Sequence, residues 1–253
     1  MIDRREEYIR MAAVEEELWW YKSLHALVYQ TISKHFTEKT IKIVDAGCGT
    51  GGLMKYLQRY YHNNNLQGLD ISPYAVEICH KSQLNVILED IRNISNHFLP
   101  NTVDVIVSND TFYFLSEAER KAILNDFYGL LRPNGLAIIN LPALSVFSGI
   151  HDISVGINHR FSSRDISQMV DPTQFKLIKA SYWPFLLSPI ILLTRCLQRF
   201  KLRMNKNTRI ISDINLPPKG INQLLLKLTQ TENTYMNYKP FGSSLFLVIK
   251  RIN

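Results

Sequence analysis

The sequence has few cysteines and no long apolar run, and these two absences exclude several classes of protein. Its three cysteines, Cys48, Cys79 and Cys196, are widely spaced, so they form neither a disulfide framework nor a CxxC metal motif. No metal site is therefore expected. No stretch approaches the roughly 20 apolar residues of a membrane-spanning helix, and the mixed charges of residues 1–7 do not fit a signal peptide. These features predict a globular protein of the cytoplasm.

Acidic residues are absent from one segment, residues 195–209, which carries most of the formal net charge of +7. Its cations are Arg195, Arg199, Lys201, Arg203, Lys206 and Arg209. The remainder of the chain is close to neutral, so nucleic acid is not an expected partner. Residues 183–193, just before this segment, are strongly apolar.

Two interpretations of this region stay open. In the first, which we favour, it is a cap helix whose apolar face lines a hydrophobic substrate pocket. In the second, residues 185–209 make a peripheral contact with a membrane or with another anionic ligand. Pro184 and Pro189 argue against one long interfacial helix, because proline interrupts a helix interior.

Short β-rich segments alternate with helical patterns along most of the chain. Strands are predicted near residues 41–44, 66–70, 85–88, 103–107, 136–139, 175–183 and 244–249. Residues 5–36 favour helix, and Ser72-Pro73 and the capping-box spacing of Ser116 to Glu119 mark two further helix starts. The alternation predicts an α/β fold that is doubly wound, with a mostly parallel seven-stranded sheet and helices on both faces.

We expect one domain over residues 1–253. Its expected parts are N-terminal helices (1–36), a cofactor-binding core (40–141), a sixth strand with a cap insertion (142–243) and a last strand (244–250).

A glycine-rich loop follows the first predicted strand and reads Asp45-Ala46-Gly47-Cys48-Gly49-Thr50-Gly51-Gly52. Glycines between a strand and a helix allow a tight turn and let the backbone approach a ligand, whose polar groups meet free amides. The spacing of Gly47, Gly49 and Gly51 resembles that of the cofactor loop in enzymes that use S-adenosylmethionine. The spacing of Gly47, Gly49 and Gly52 fits the dinucleotide fingerprint equally well. The loop alone leaves both cofactor classes open.

Acidic residues around the loop favour the first class. Asp45 lies two residues before the first glycine, Asp70 ends the second predicted strand, and Asp90 follows the third. With these residues and the segment Leu130-Leu131-Arg132-Pro133-Asn134-Gly135, the chain resembles the class I methyltransferases that use S-adenosylmethionine, closely over residues 40–141. The resemblance implies S-adenosyl-L-methionine as cofactor, S-adenosyl-L-homocysteine as product, and an antiparallel last strand.

The same resemblance implies roles for individual residues. Asp45 is expected to organise the loop and the methionine amino group, Asp70 to accept from the ribose hydroxyls, and Asp90 with Ile91 to hold the adenine amino group. The expected cofactor contacts are Trp20, Asp45, Gly47, Cys48, Gly49, Gly51, Asp70, Ile71, Asp90, Ile91 and Asn109.

Candidates for the chemistry follow the fifth predicted strand. His151 and His159 are candidate general bases, and Arg160 is a candidate for holding an anionic substrate group. The alternative, to which we give slightly more weight, is that these residues only tie down a long loop, with Asp152 pairing Arg160.

The expected substrate contacts are aromatic: Tyr113, Phe114 and Trp183. The segment from Ser108 to Tyr113 lacks the Asn/Asp-Pro-Pro-aromatic motif of enzymes that methylate the amino groups of nucleic-acid bases, which counts against that reaction. The resemblance thus implies direct in-line methyl transfer to oxygen or nitrogen of a small, partly apolar metabolite. Two alternatives stay open: methylation of a peptide or RNA, and a non-catalytic protein that binds the cofactor and serves as a partner subunit.

Overall fold

A computed structural model describes residues 4–204 and 215–252. The longer helices are α1 (Arg4–Val14), α2 (Trp19–His35), α3 (Gly52–Leu57), α4 (Pro73–Lys81), α5 (Glu117–Leu130), α6 (Ile150–Val155), α7 (Ser163–Met169), α8 (Ser188–Met204) and α9 (Lys219–Tyr235). The strands are β1 (Ile43–Ala46), β2 (Leu66–Asp70), β3 (Val86–Leu88), β4 (Val103–Asn109), β5 (Leu131–Pro142), β6 (Phe175–Trp183) and β7 (Ser244–Arg251). Short 3₁₀ segments span Asn63–Asn65, Ile91–Asn96, Phe112–Phe114 and Ser145–Phe147. Residues 1–3 of the predicted N-terminal helices, and Lys206 and Arg209 of the predicted basic segment, lie outside the described residues.

The seven strands form one sheet in the order β3-β2-β1-β4-β5-β7-β6. β7 runs antiparallel to both of its neighbours, and the pairs from β3 to β5 are parallel. The predicted sheet and its antiparallel last strand are confirmed. The strand order reverses between β1 and β4, and at such a switch point the carboxyl ends of the strands border a crevice.

Two apolar layers cover the sheet, because successive strand residues point to opposite faces. Val44 and Ile106 belong to the layer that α5 and α7 cover, whereas Ile43 and Val105 belong to the layer under α2, α3 and α4. Helices on both faces are thus confirmed, and the rigid sheet fixes the strand ends that border the crevice.

Two predicted helix starts are confirmed by their caps. The Ser72 hydroxyl accepts from the Ala75 amide at 3.4 Å, with Pro73 at the first helical position. Ser116 and Glu119 form the predicted capping box at the start of α5.

The helical region predicted over residues 5–36 consists of two helices, α1 and α2, with a break between Val14 and Trp19. Two features differ from the sequence-based prediction. The turn predicted at residues 133–135 lies inside β5, as an irregularity between the pairs Val103–Leu131 and Val105–Leu136, because the chain pairs with β4 on both sides of it. Proline does not interrupt α8, since Pro189 occupies the first turn, where no intrahelical amide is needed. No helix within the described ranges is long and apolar enough to cross a bilayer.

Candidate active site

A cleft of about 920 Å³ opens at the carboxyl ends of β1, β2 and β4. Its walls come from α1 and α2, the glycine loop, the turn after β4, the segment around α6 and the inner face of α8. The predicted site residues that line it are Trp20, Asp45, Gly47, Cys48, Gly49, Asp70, Ile71, Asp90, Ile91, Asn109, Tyr113, Phe114, His151 and Arg160. The fold therefore gathers most of the candidate residues in one place.

The glycine loop forms the floor of this cleft, and its glycines are sterically required. Gly47, Gly49 and Gly51 have φ angles of +84°, +54° and +82°, which residues with a Cβ rarely adopt. A Cβ on Gly47 would lie 2.2 Å from the Thr111 hydroxyl, and one on Gly51 would lie 2.3 Å from Leu84. Gly51 does not line the cleft, and it contributes to the site only through the conformation that it gives the loop.

Asp70 joins the loop to the end of β2. Its Oδ2 accepts from the Gly49 amide at 2.8 Å, and its Oδ1 accepts from the Ser72 amide at 2.8 Å. Burial raises the pKa of this carboxyl, while the two amide bonds oppose that rise. The carboxylate is thus held in one orientation, with capacity left to accept hydrogen bonds from a ligand in the cleft.

Further carboxyl groups are buried around the cleft. Burial, with a smaller effect of the nearby Asp70 and Glu15 carboxylates, raises the pKa of Asp45 to about 8. Burial likewise raises the pKa of Glu15 to about 7 and that of Asp110 to about 7. A cationic ligand would favour the ionised form of each, so this lining suits a ligand that carries positive charge. Residues 4–204 and 215–252 contain no group of three His, Cys, Asp or Glu residues arranged to hold a metal ion.

Glu15 is a site residue that the sequence did not single out. It lies in the interruption between α1 and α2, is 3% exposed, and an ideal Cβ on Gly52 would lie 2.5 Å from its Oε2. Its sequence neighbours Glu16 and Glu17 are exposed. Three consecutive acids resemble a solvated helix end, and only the helix break directs the first of them inward.

Several buried polar atoms have no protein partner in the described part of the chain. One of them is the side-chain oxygen of Asn109, Oδ1. An unsatisfied buried polar group costs about 1–3 kcal/mol. Asn109 lines the cleft, so a bound polar ligand could satisfy an atom that the fold leaves unpaired.

Aromatic rings form the wall opposite the loop. Trp20 lines the cleft and stacks on Trp183, with ring centroids 5.5 Å apart and planes at 19°. Trp183 is not a lining residue, which corrects its predicted role as a substrate contact: it is fully buried, and its Nε1 donates to Asn140 Oδ1 at 2.8 Å. Tyr113 and Phe114 line the cleft as predicted, and their ring centroids lie 4.2 Å apart.

The Asn140 side chain, which accepts from Trp183, also contacts Asp110. Its Nδ2 lies 3.1 Å from Asp110 Oδ2 and 3.2 Å from Oδ1, and its backbone oxygen accepts from the Asp110 amide at 2.9 Å. Asp110 has a φ of +53°. Trp183 thus orients Asn140, and Asn140 orients a carboxyl group on the cleft wall.

Arg160 is held by the protein itself. Its Nε and Nη2 donate to the two Asp152 oxygens, both at 2.7 Å, and its Nη1 donates to the carbonyls of Ala143 and Ser243. The guanidinium therefore ties the loop after β5 to the start of β7. This is the pairing given as the alternative from the sequence, and it argues against a role in holding an anionic substrate.

The two predicted histidine bases are placed differently. His151 lines the cleft. His159 does not; its Nε2 lies 3.0 Å from Asp165 Oδ1, and its ring packs on Phe161. We therefore retain only His151 of the two. His25 also lines the cleft, but burial lowers its pKa to about 3, so its ring is neutral.

The inserted region contributes to the cleft through few residues. Ile191 and Arg195 of α8, with Asn215 and Pro217, complete the wall. The favoured cap interpretation holds for these residues only, because most apolar side chains of α8 point away from the cleft.

Comparison with known proteins gives this geometry a family context. Residues 43–135 match a family described as "Methyltransferase domain". Over 140 residues the chain is 29% identical to the carboxy-S-adenosyl-L-methionine synthase of Haemophilus ducreyi, covering 51% of this chain and 56% of that protein. Over 106 residues it is 32% identical to malonyl-[acyl-carrier protein] O-methyltransferase 1 of Ilyobacter polytropus, covering 40% of this chain and 38% of that protein. The chain thus spans about half the length, or less, of these relatives.

A solved structure extends the likeness in fold to most of the chain. A SAM-dependent methyltransferase from Archaeoglobus fulgidus superposes with a TM-score of 0.54 at 14% identity, covering 89% of this chain and 94% of that one. At this identity the likeness concerns the fold alone.

Proposed function

We propose that this chain, whose residues 43–135 match a methyltransferase domain, is a class I S-adenosylmethionine-dependent methyltransferase, and that it transfers the methyl group of S-adenosylmethionine to oxygen or nitrogen of a small, partly apolar acceptor. The observation that carries the proposal is the contact between the glycine loop and Asp70, within a cleft lined by further buried carboxyls. A sulfonium cofactor with an ammonium group supplies the positive charge that this lining favours.

We infer the cofactor contacts from the positions of the side chains. Asp70, fixed by two backbone amides, would accept from the ribose hydroxyls. Asp90 and Ile91 lie beyond β3 at the same edge of the cleft, where they would hold the adenine. Asp45 and Glu15, beside the glycine loop, would face the methionine end. The Trp20 ring, backed by Trp183, would close this side against water and favour a nearby cation.

Bound S-adenosylmethionine would supply the methyl group: transfer would form a bond between the acceptor atom and the methyl carbon and break the sulfur–carbon bond, whose electron pair would stay on sulfur. The chain's task is to align the acceptor and to receive its proton. Asp110, held by Asn140 and with a pKa of about 7, suits a general base at neutral pH. His151 is a second candidate on the same wall.

The character of the acceptor follows from the rest of the wall. Tyr113, Phe114 and Ile153 offer apolar surface, and Phe114 and Ile153 are 49% exposed. The cleft volume of about 920 Å³ lies near the upper end of the roughly 300–1,000 Å³ found for small-molecule sites, which leaves room for an acceptor beside the cofactor. One relative is named for methyl transfer to a malonyl group and another for a reaction of the cofactor itself, so both kinds of product need to be sought.

Calorimetry tests the cofactor site. Asp70→Ala is expected to weaken S-adenosylmethionine binding by roughly 10- to 150-fold, since hydrogen bonds to a charged group contribute about 1.5–3 kcal/mol. Gly49→Val should weaken it as well, because a β-branched residue is strained at a φ of +54°. Asp171→Ala is the matched control, an exposed aspartate whose side chain accepts from the backbone amide of Thr173. Unchanged affinity in both test variants, each with a native melting temperature, would refute the proposed site.

Transfer itself is tested with isotopically labelled methyl donor and a cell extract. Label in a small metabolite, together with release of S-adenosylhomocysteine, is the expected result. Label in peptide or RNA would favour a macromolecular acceptor. Binding with no transfer to any fraction would instead favour a non-catalytic partner protein.

A further inference from the structure

The outer face of α8 is apolar and has no partner within the described residues. Ser188 is the one buried residue of this 17-residue helix. Its outward apolar side chains are Ile190, Leu193, Leu197, Phe200 and Met204, which are between 54% and 74% exposed. Their spacing of three and four residues places them within an arc of about 80° and along about 21 Å of helix. Burying such a stripe would release water from its surface.

The opposite face of α8 is bonded to the protein body, which fixes the stripe outward. Arg199 Nη1 donates to the carbonyls of Val146 and Ser148 at 2.6 and 3.2 Å. Gln198 Oε1 accepts from the Ile150 amide at 3.3 Å and from Arg195 at 2.9 Å. The helix therefore cannot hide its apolar face by turning without breaking these contacts.

Positive charge borders the stripe. Lys201 and Arg203 are both exposed, and on a helical projection they lie on either side of the apolar residues. No Asp or Glu occurs in the sequence between Asp171 and Asp213. The segment thus offers apolar side chains with flanking cations and no anion to offset them.

We propose that α8 is a membrane-docking helix, which lies on an anionic phospholipid surface with its apolar stripe in the acyl boundary and Lys201 and Arg203 among the headgroups. This combination of an apolar face with flanking cations is the one by which interfacial helices bind anionic lipid. A second copy of the chain fits less well, because its α8 would bring further cations and no carboxylate. Ile191 and Arg195, on the inner face, line the cleft, so docking holds the cleft close to the bilayer surface.

Vesicle flotation with the full-length protein tests this proposal independently of methyl transfer. The protein is expected to float with vesicles of phosphatidylcholine and phosphatidylglycerol (7:3), and to float weakly with phosphatidylcholine alone. Leu193→Ser with Leu197→Ser should reduce partitioning by about tenfold or more, since each leucine loses its apolar burial. The matched control is Leu99→Ser with Leu177→Ser, two leucines that are exposed elsewhere.

Charge reversal provides the second comparison. Lys201→Glu with Arg203→Glu should abolish the preference for phosphatidylglycerol, whereas Arg164→Glu with Lys219→Glu, which changes the net charge equally at exposed sites, should retain it. The proposal is overturned if the wild-type protein does not bind the anionic vesicles, or if the α8 variants and their controls bind alike. It is also overturned if sedimentation shows a dimer that the leucine variant dissociates and no vesicle binding.

Discussion

Replacing Arg160 separates a structural role for this residue from a role in binding the acceptor. In Arg160→Leu the Asp152 carboxylate loses both of its hydrogen bonds to the guanidinium, and the carbonyls of Ala143 and Ser243 lose the donor that they share. The Arg160 side chain is 7% exposed and that of Asp152 is 10% exposed, so water cannot readily replace these bonds. The substitution therefore leaves an uncompensated charge in a buried position.

The expected loss is about 3–5 kcal/mol, the usual cost of removing one partner from a buried ion pair. For a domain of this size, about 1 kcal/mol corresponds to roughly 2–4 °C in melting temperature. The melting temperature of Arg160→Leu should therefore fall by on the order of 6–20 °C. Replacing both members with leucine should recover part of that loss, because the pair then disappears without leaving a buried charge.

Thermal unfolding followed by circular dichroism measures this change. Arg164→Leu, in which an exposed arginine of the neighbouring α7 is removed, is the control and should shift the melting temperature by less than about 2 °C, in line with a surface substitution. If Arg160→Leu melts like the control while its affinity for the acceptor falls, the structural assignment is refuted and Arg160 holds an anionic substrate group.

Two further predictions concern the buried carboxyls of the cleft. Asp110→Asn should slow methyl transfer by about 100-fold or more. It should also remove the decline in kcat/KM that the wild-type enzyme should show below pH 7, since a base with a pKa of about 7 is protonated there. A pH–rate profile that keeps this decline would contradict the role of Asp110 as the general base. Glu15 has its pKa raised to about 7, so its contribution to stability is present below about pH 4.5 and is lost as the pH rises through 7. Between pH 5 and 8 the free energy of unfolding of Glu15→Gln, measured in urea without cofactor, should therefore fall by less than that of the wild type, with a difference on the order of 3 kcal/mol. Parallel pH dependences of the two proteins would show that Glu15 is not buried as described.

The alternating strands and helices could be predicted because their signals are local. β2 and β6 span the predicted residues, and Ser72 and Ser116 cap helices as their side-chain chemistry indicates. The turn inside β5 was predicted as a strand boundary because Pro133-Asn134-Gly135 has the composition of a turn. Its place within the strand depends on pairing with β4, which no local pattern reports.

The positions of the glycine loop and its neighbouring acids could be predicted for a related reason. Asp45, Gly47 and Asp70 lie next to strand ends, where the topology of the fold fixes their positions. Glu15 and Trp183 depend instead on tertiary packing: Glu15 is turned inward by a helix break, and Trp183 is covered by the Trp20 ring of α2. Their residue types are equally compatible with an exposed acid and a pocket ring, so the sequence could not distinguish these outcomes.

The contact chain from Trp183 through Asn140 to Asp110 has a consequence for how the protein can be divided or diversified. The matched methyltransferase segment ends at residue 135, so it contains Asp110 but neither of the two residues that orient it. If residues 43–135 were grafted into another protein of this fold, the glycine loop and Asp70 would be transferred together. The orientation of Asp110 would then depend on the residues of the recipient protein. The orientation of Asp110 therefore depends on residues outside the matched segment, whereas the contact between Asp70 and the glycine loop lies wholly inside it.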